Sequence, residues 1–240
     1  MELNMKLNKY LFAFVVLIFS ACTKDDSITN ELNIASNQYG LKVITKYEDY
    51  AATVKSDSNN RFVNLESLIP AVQLDIRYAT ANNFTGQKVY DSAMAFLRLS
   101  PAKALLHVQN ELAARNLGLR VYDAYRPYTI TMKFYEIYKD TNFVAAPWLG
   151  SRHNRGCAVD VSLIDLTTRQ EIPMPTEYDD FSAKAKPDYS DLSDEVKANR
   201  KLLIDIMAKY KFEVHHSEWW HYDYIGWEKY YLMDIPFIQL

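Results

Sequence analysis

Two stretches of this chain carry the residue types of a hydrolytic metal site. Ser151-Arg152-His153-Asn154-Arg155-Gly156-Cys157-Ala158-Val159-Asp160 supplies a His and an Asp. Glu218-Trp219-Trp220-His221 supplies a second His with a Glu three residues before it. A catalytic zinc takes three protein ligands, keeps one position open for water, and works with a carboxylate that takes the water's proton. His153, Asp160 and His221 are therefore the candidate ligands for one Zn2+ per chain, and Glu218 is the candidate general base. The chemistry these residues predict is hydrolysis by a zinc-activated water.

The spacings make demands on the backbone. His153 and Asp160 are an odd number of residues apart, which on a strand sets side chains on opposite faces. Gly156 must turn the chain between them, so that Asp160 enters the cavity from a strand start. Glu218 and His221 face opposite ways on a regular strand, and a bulge or turn is needed to bring both to the metal. Trp219 and Trp220 then pack behind the site and limit water. Rival ligands exist. His215 and His216 lie close to Glu218 and read as a polar edge, and Cys157 reads as a small buried filler. Arg126, in Asp123-Ala124-Tyr125-Arg126-Pro127, is a candidate for stabilising the oxyanion of a tetrahedral intermediate, with Asp123 holding it through a charge-assisted hydrogen bond.

The elements that must position these residues are legible as patterns. Val72–Tyr78 alternates as a strand, and Asn82–Gly86 is a turn-rich loop. Ser100-Pro101 reads as N-cap and first position of a helix whose apolar stripe is Ala104, Leu105, Val108 and Leu112, ending near Asn116-Leu117-Gly118. Leu119–Tyr125 reads as a buried strand, Tyr128–Tyr138 as a helix, Ala158–Ile164 as a strand, and Ser193–Tyr210 as an amphipathic helix capped by Ser193. Phe212–Val214 and Trp219–Tyr224 read as further strands. The predicted fold is α+β: a central antiparallel sheet with flanking helices and the zinc site in a cleft at the sheet.

Composition narrows the function. The chain has 240 residues, 49% of them hydrophobic, which is enough for a substantial core. Its net charge of −3 gives no basic footprint for nucleic acid, and with 6 Gly and no glycine-rich phosphate loop a nucleotide cofactor is not expected. At the N-terminus, Lys6 and Lys9 precede the apolar run Tyr10–Phe19 and then Ser20-Ala21-Cys22, the pattern of a secretion signal. The run is too short for a spanning helix, which needs roughly twenty residues. A Cys directly after Ser-Ala resembles a bacterial lipoprotein signal, although Phe19 stands where Leu is usual. The expected organisation is a lipoprotein-type signal over residues 1–21, a polar tether or arm over 22–60, and a catalytic domain over 61–240. The protein is expected to be exported to the cell envelope or periplasm, held to a membrane by a lipid on Cys22, with no protein partner implied. Cys157 is then the one remaining thiol, so no intramolecular disulfide forms and stability comes from packing.

With those residues in view, the chain resembles the D-alanyl-D-alanine dipeptidases, the family that includes the vancomycin-resistance dipeptidase. The resemblance runs from about Phe62 to Tyr224. It rests on Arg77-Tyr78-Ala79-Thr80, Asn83-Phe84-Thr85-Gly86, Tyr125-Arg126-Pro127, the Ser-x-His-x-x-Gly-x-Ala-x-Asp run from Ser151 to Asp160, and Glu218-Trp219-Trp220-His221-Tyr222. It departs from the family at Lys184–Ser193 and at His215-His216. The resemblance implies that His153, Asp160 and His221 bind zinc, that Glu218 is the base, and that Arg126 stabilises the transition state. It further implies that Tyr78 and Asp179 hold the substrate's ammonium and that Ser151 and Asp123 belong to the substrate site. The implied reaction is hydrolysis of free D-Ala-D-Ala to two D-Ala, in wall-dipeptide scavenging or peptidoglycan turnover. The alternatives are a related zinc D,D-carboxypeptidase or endopeptidase trimming peptidoglycan stems, and a non-catalytic muropeptide-binding lipoprotein.

Overall fold

Two strands buried on both faces form the centre of the molecule, as their near-continuous apolar sequences require. They are β5 (Leu117–Asp123) and β6 (Ala158–Asp165), paired antiparallel. The computed structural model describes residues 32–240. The N-terminal signal, Cys22 and the first part of the proposed tether lie outside the described residues.

Five strands make the central sheet, in the order β3-β5-β6-β8-β7, with β3 (Gln73–Leu74), β7 (Phe212–His215) and β8 (Glu218–Tyr224) completing it. Only β3–β5 is parallel, so the sheet is mixed and mostly antiparallel, in the α+β class that the sequence pattern predicts. Helix α3 (Leu99–Ala113) packs on β5 through Leu105, Val108 and Leu112, all fully buried. Burying each such side chain contributes roughly 1.5–3 kcal/mol. Helix α5 (Asp194–Lys209) packs on β7 with Leu203, Ile206 and Met207 inward, and the Ser193 hydroxyl caps it by accepting from Val196 N at 3.3 Å. Helix α4 (Tyr128–Ile137) buries Tyr128, Thr131 and Phe134.

Several boundaries differ from the sequence expectation, each for a local reason. The expected strand Val72–Tyr78 is paired as a strand only over Gln73–Leu74. Asp75 N still donates to Val121 O at 2.9 Å, but the chain then coils into a 3-10 turn over Arg77–Ala79, which drives Tyr78 inward to 3% exposure. Helix α3 begins at Leu99, not Pro101. Ser100 therefore lies inside the first turn and does not cap it; its hydroxyl donates to Asn59 Oδ1 at 2.9 Å. Pro101 still falls in the first turn, where a missing N–H costs nothing. Strand β5 ends at Asp123 after a register shift between Val121 and Asp123, which frees Ala124, Tyr125 and Arg126 to turn toward the site.

The tether expected over residues 22–60 is corrected from Val43 onward. Strand β1 (Val43–Ile44) pairs parallel with β9 (Leu232–Met233), and helix α1 (Tyr47–Ser56) follows it. Apolar residues are sparse in this stretch, yet Val43, Ile44 and Tyr50 are buried, and the Tyr50 hydroxyl accepts from Phe62 N at 2.9 Å. Phe62 belongs to β2 (Phe62–Asn64), which pairs with β4 (Phe96–Arg98), and the short helix α2 (Leu65–Leu68) follows β2. The arm is sealed by Arg98, a buried guanidinium that meets carbonyls instead of a carboxylate. It lies 4.2 Å from the Phe62 ring centre, donates to Asn60 O, and reaches Arg155 O at 2.9 Å. Replacing Tyr50 with Ala is therefore expected to lower unfolding stability by about 3 kcal/mol, read as a fall in the urea midpoint. A free tether would leave that midpoint unchanged.

Candidate active site

Gly156 makes the turn that the spacing of His153 and Asp160 demands. It sits at φ +67°, accessible to a residue without a side chain, and a Cβ there would collide with the Phe62 ring. His153 opens the 3-10 turn His153–Arg155 just before it, and Asp160 is the third residue of β6. Across the sheet Asp160 pairs directly with His221 of β8, so cross-strand register delivers the third group. The required irregularity in β8 is also present. Val214 pairs with Tyr222, but the next residue, His215, pairs with Glu218, so Trp219, Trp220 and His221 are looped out relative to β7. Glu218 Oε2 thereby comes within 3.8 Å of His221 Nδ1. Trp219 and Trp220 are buried, with Trp220 on the cavity wall and Trp219 donating to Thr176 Oγ1.

Both imidazoles are turned by a partner on the far side of the ring. His153 Nδ1 lies 2.6 Å from Ala124 O and must donate to it, which leaves the Nε2 lone pair facing inward. His221 Nε2 lies 3.0 Å from Asp223 Oδ1, which leaves Nδ1 facing inward. Those inner nitrogens are 3.1 Å apart, and Asp160 Oδ1 is 3.0 Å from His221 Nδ1 and 3.4 Å from His153 Nε2. Asp160 Oδ1 is buried with no hydrogen-bond partner, while Oδ2 accepts from the Tyr178 hydroxyl at 2.9 Å. Tetrahedral zinc with bonds near 2.1 Å separates its ligands by about 3.4 Å. The three atoms thus fit a small cation in spacing, in lone-pair direction and in donor chemistry. His153, Asp160 and His221 are the only group of three or more His, Cys, Asp or Glu residues among the described residues so arranged.

The site opens on a cavity of ≈ 330 Å3 whose wall includes Tyr78, Arg126, Ser151, Asp179 and Glu218. Burial pushes the Glu218 carboxyl up to about 8, and a divalent cation on the neighbouring ligands would draw it back down. Arg126 Nε and Nη2 both bond Asp123 Oδ2, at 3.0 and 2.7 Å, leaving Nη1 for a ligand. Ser151 Oγ accepts from His153 N at 3.1 Å and so braces the turn as well as facing the cavity. Tyr78 donates to Asp179 Oδ1 at 3.0 Å, and burial pushes the Asp179 carboxyl up to about 7.

Asp123 holds Arg126 as expected, but the substrate contact that the resemblance implies for it is corrected. It does not reach the cavity wall: Oδ2 is taken by Arg126, and Oδ1 accepts from Tyr90 Oη at 2.8 Å and from Ala124 N at 2.9 Å. His215, expected on a polar edge, instead faces the cavity, whereas His216 is exposed. Cys157 is a buried filler as expected, and burial pushes its thiol up to about 12. Two residues escaped the sequence reading. Asp223 fixes the tautomer of His221, and its signal is the i, i+2 spacing that puts both on one strand face. Tyr178 joins Asp160 to Tyr78, its hydroxyl 3.1 Å from Tyr78 Oη, so hydroxyls link the ligand set to Asp179.

A model of the M15 peptidases, described as D-ala-D-ala dipeptidase, matches residues 58–237. The chain belongs to this family. Relatives of the M15 dipeptidases agree. A D-alanyl-D-alanine dipeptidase of Escherichia coli (strain K12) is 29% identical over 67% of this chain and 83% of its own length. Those of Enterococcus faecium and Streptomyces coelicolor (strain ATCC BAA-471 / A3(2) / M145) are 28% and 30% identical, each over 67% of this chain and 90% of their own. A solved LD-carboxypeptidase aligns with a TM-score of only 0.38 at 20% identity, over 55% of this chain and 61% of that one, and adds nothing to the family assignment.

Asp223→Asn is expected to weaken zinc about 10- to 100-fold in a chelator competition, because the imidazole loses the carboxylate that orients it. For Asp179, the raised carboxyl sets a pH window. Below its ordinary value of 3.8 it is protonated whether folded or unfolded. As pH rises, the unfolded chain ionises first and stability is lost until the folded group ionises near 7. The metal-free Asp179→Asn variant should therefore match wild type at about pH 3 and melt roughly 9–17 °C higher at pH 8, measured by calorimetry.

Proposed function

We propose that this chain is a zinc dipeptidase that hydrolyses free D-Ala-D-Ala to two D-Ala. The observation that carries the metal is the orphaned Asp160 Oδ1 between two inward-facing imidazole lone pairs. The substrate is supported by the family description and by relatives named D-alanyl-D-alanine dipeptidase.

His153 Nε2, Asp160 Oδ1 and His221 Nδ1 would hold the zinc, which when bound polarises a scissile carbonyl and acidifies water. Glu218 stands beside the ligand set, where its carboxylate takes the proton of the attacking water and passes it to the leaving amine. Arg126, on the cavity wall with Nη1 outside its pair with Asp123, would stabilise the oxyanion as it forms, and Asp123 keeps the guanidinium from swinging away. The Asp179 carboxylate takes the substrate's ammonium, with Tyr78 holding it in place. Ser151 borders the same cavity and is the proposed contact to the peptide. Asp179 favours a free dipeptide over a longer or acylated one: without an ammonium, a buried carboxylate is left unpaired. Phe84, whose backbone N donates to Asp179 Oδ2, lines the cavity with Phe143 and Phe181, an apolar wall that offers an unpaired carboxylate no other partner. Stem-peptide trimming would need an open groove at that end.

The physiological setting proposed is scavenging of wall-derived dipeptide at the cell envelope, by a protein exported and lipid-anchored through Cys22. That part rests on Lys6, Lys9, the apolar run and Ser20-Ala21-Cys22.

The test is an assay of the zinc-loaded protein with D-Ala-D-Ala, L-Ala-L-Ala and N-acetyl-D-Ala-D-Ala. Turnover of the first alone is expected. Cleavage of the acetylated substrate at a comparable rate would favour the stem-trimming alternative. Glu218→Ala should cut kcat about 10²- to 10⁴-fold with zinc content unchanged, and retained activity would remove Glu218 from its role.

A further inference from the structure

The chemistry above uses the polar side of the cavity and gives its aromatic side no contact with the substrate. Phe84, Phe143 and Phe181 come from three separate segments of the chain, all three line the cavity, and none is fully buried. Phe181 stacks on Phe143 with ring centres 4.7 Å apart and packs on Phe84 at 5.4 Å, so the rings form one continuous face. Tyr138 supports that face without lining the cavity, 5.3 Å from Phe181 and 6.3 Å from Phe84. A ligand group that covers such a face gains the free energy of taking apolar surface out of water.

The face is tied to the proposed ammonium partner. Phe84 N donates to Asp179 Oδ2 at 3.1 Å, which fixes the root of that ring beside the carboxylate. Asp179 stands at φ +63°, a left-handed conformation that Asp tolerates better than most side chains, and Phe181, two residues beyond that bend, lies on the same wall. Covalent geometry then places the substrate. An ammonium on Asp179 has its β-carbon about 2.5 Å from the nitrogen. With the carbonyl of that residue directed to His153, Asp160 and His221, the side chain starts beside the carboxylate, where Tyr78 and Phe84 are hydrogen-bonded neighbours. A methyl group covers little more than one ring of a face whose centres lie 4.7 and 5.4 Å apart, whereas a branched or aromatic side chain spans it. The cavity of ≈ 330 Å3 has the size of pockets that enclose drug-sized ligands.

We propose that Phe84, Phe143 and Phe181 form a subsite for the side chain of the substrate's N-terminal residue, and that the chain hydrolyses free dipeptides whose first residue is a larger apolar D-amino acid, leucine or phenylalanine in size, as well as D-Ala-D-Ala. The assignment rests on the dipeptidase reading with Asp179 as the ammonium partner. The three rings touch no reacting atom and act by selecting which peptide is held.

The test is steady-state kinetics of the zinc-loaded protein on D-Ala-D-Ala, D-Leu-D-Ala and D-Asn-D-Ala, the last two nearly equal in size but different in polarity. D-Leu-D-Ala is expected to be hydrolysed at least as efficiently as D-Ala-D-Ala, and to exceed D-Asn-D-Ala in kcat/KM by about 10- to 100-fold. Phe181→Ser should lower the Leu-to-Asn ratio about 10-fold, and Phe181→Leu should retain most of it. Each ratio compares two substrates on one preparation, so a loss of folded protein or of zinc cancels. A Leu-to-Asn ratio near one, a ratio unchanged in Phe181→Ser, or less efficient turnover of D-Leu-D-Ala than of D-Ala-D-Ala overturns the proposal and leaves the dipeptidase reading in place. If D-Leu-D-Ala is cleaved with a Phe181-dependent ratio while D-Ala-D-Ala is not cleaved, the D-Ala-D-Ala reading fails and the subsite stands. No turnover of any of the three overturns both.

Discussion

Two imidazole nitrogens and one carboxylate oxygen are held within 3.4 Å of one another, each with a lone pair pointed at the others. Without a positive charge between them this arrangement is repulsive, and burial removes the water that would relieve it. The rest of the fold supplies what keeps them there. Ala124 O and Asp223 claim the outer ring nitrogens, Tyr178 claims the second oxygen of Asp160, and Gly156 bends the chain at a point where no side chain fits. Each of these partners narrows the choices of a ligand before any ion arrives, so a cation would meet a formed site.

The same frame explains why the supporting residues are distributed as they are. The β5–β6–β8 ladder sets Asp160 opposite His221, and the early end of β5 sends Arg126 back across His153, whose carbonyl accepts from Arg126 N at 3.1 Å. Arg98 holds the next residues of the metal turn through the carbonyls of Arg155 and Gly156, while its guanidinium also grips the N-terminal arm. The arm is thereby connected to the metal turn, which gives β1 and α1 a structural task that the mostly polar stretch around them conceals.

Sequence alone made the centre of this site legible because ligand chemistry restricts residue type so strongly. A His, an Asp and a His, with a Glu near the last, have few common uses, and Gly156 announced the bend that their spacing required. The positioning residues were harder to see. The role of Asp123 as partner of Arg126 was legible, but not that burial and four hydrogen-bonded contacts would keep it off the cavity wall. His215 reads as a surface residue from its polar surroundings, yet the irregular pairing of β7 and β8 turns it to the cavity. Register shifts of this kind leave no periodic trace. The arm was misread because periodicity weighs the number of apolar residues, whereas Tyr50 and Ile44 suffice to dock it once Phe62 and Leu232 offer a surface.

The most direct test of this account is anomalous diffraction at the zinc edge from crystals of the zinc-loaded protein. The prediction is one strong peak per chain about 2.0–2.2 Å from His153 Nε2, His221 Nδ1 and Asp160 Oδ1 together. A peak bonded instead to His215, His216 or Cys157, or no peak within the cavity at stoichiometric zinc, would contradict it.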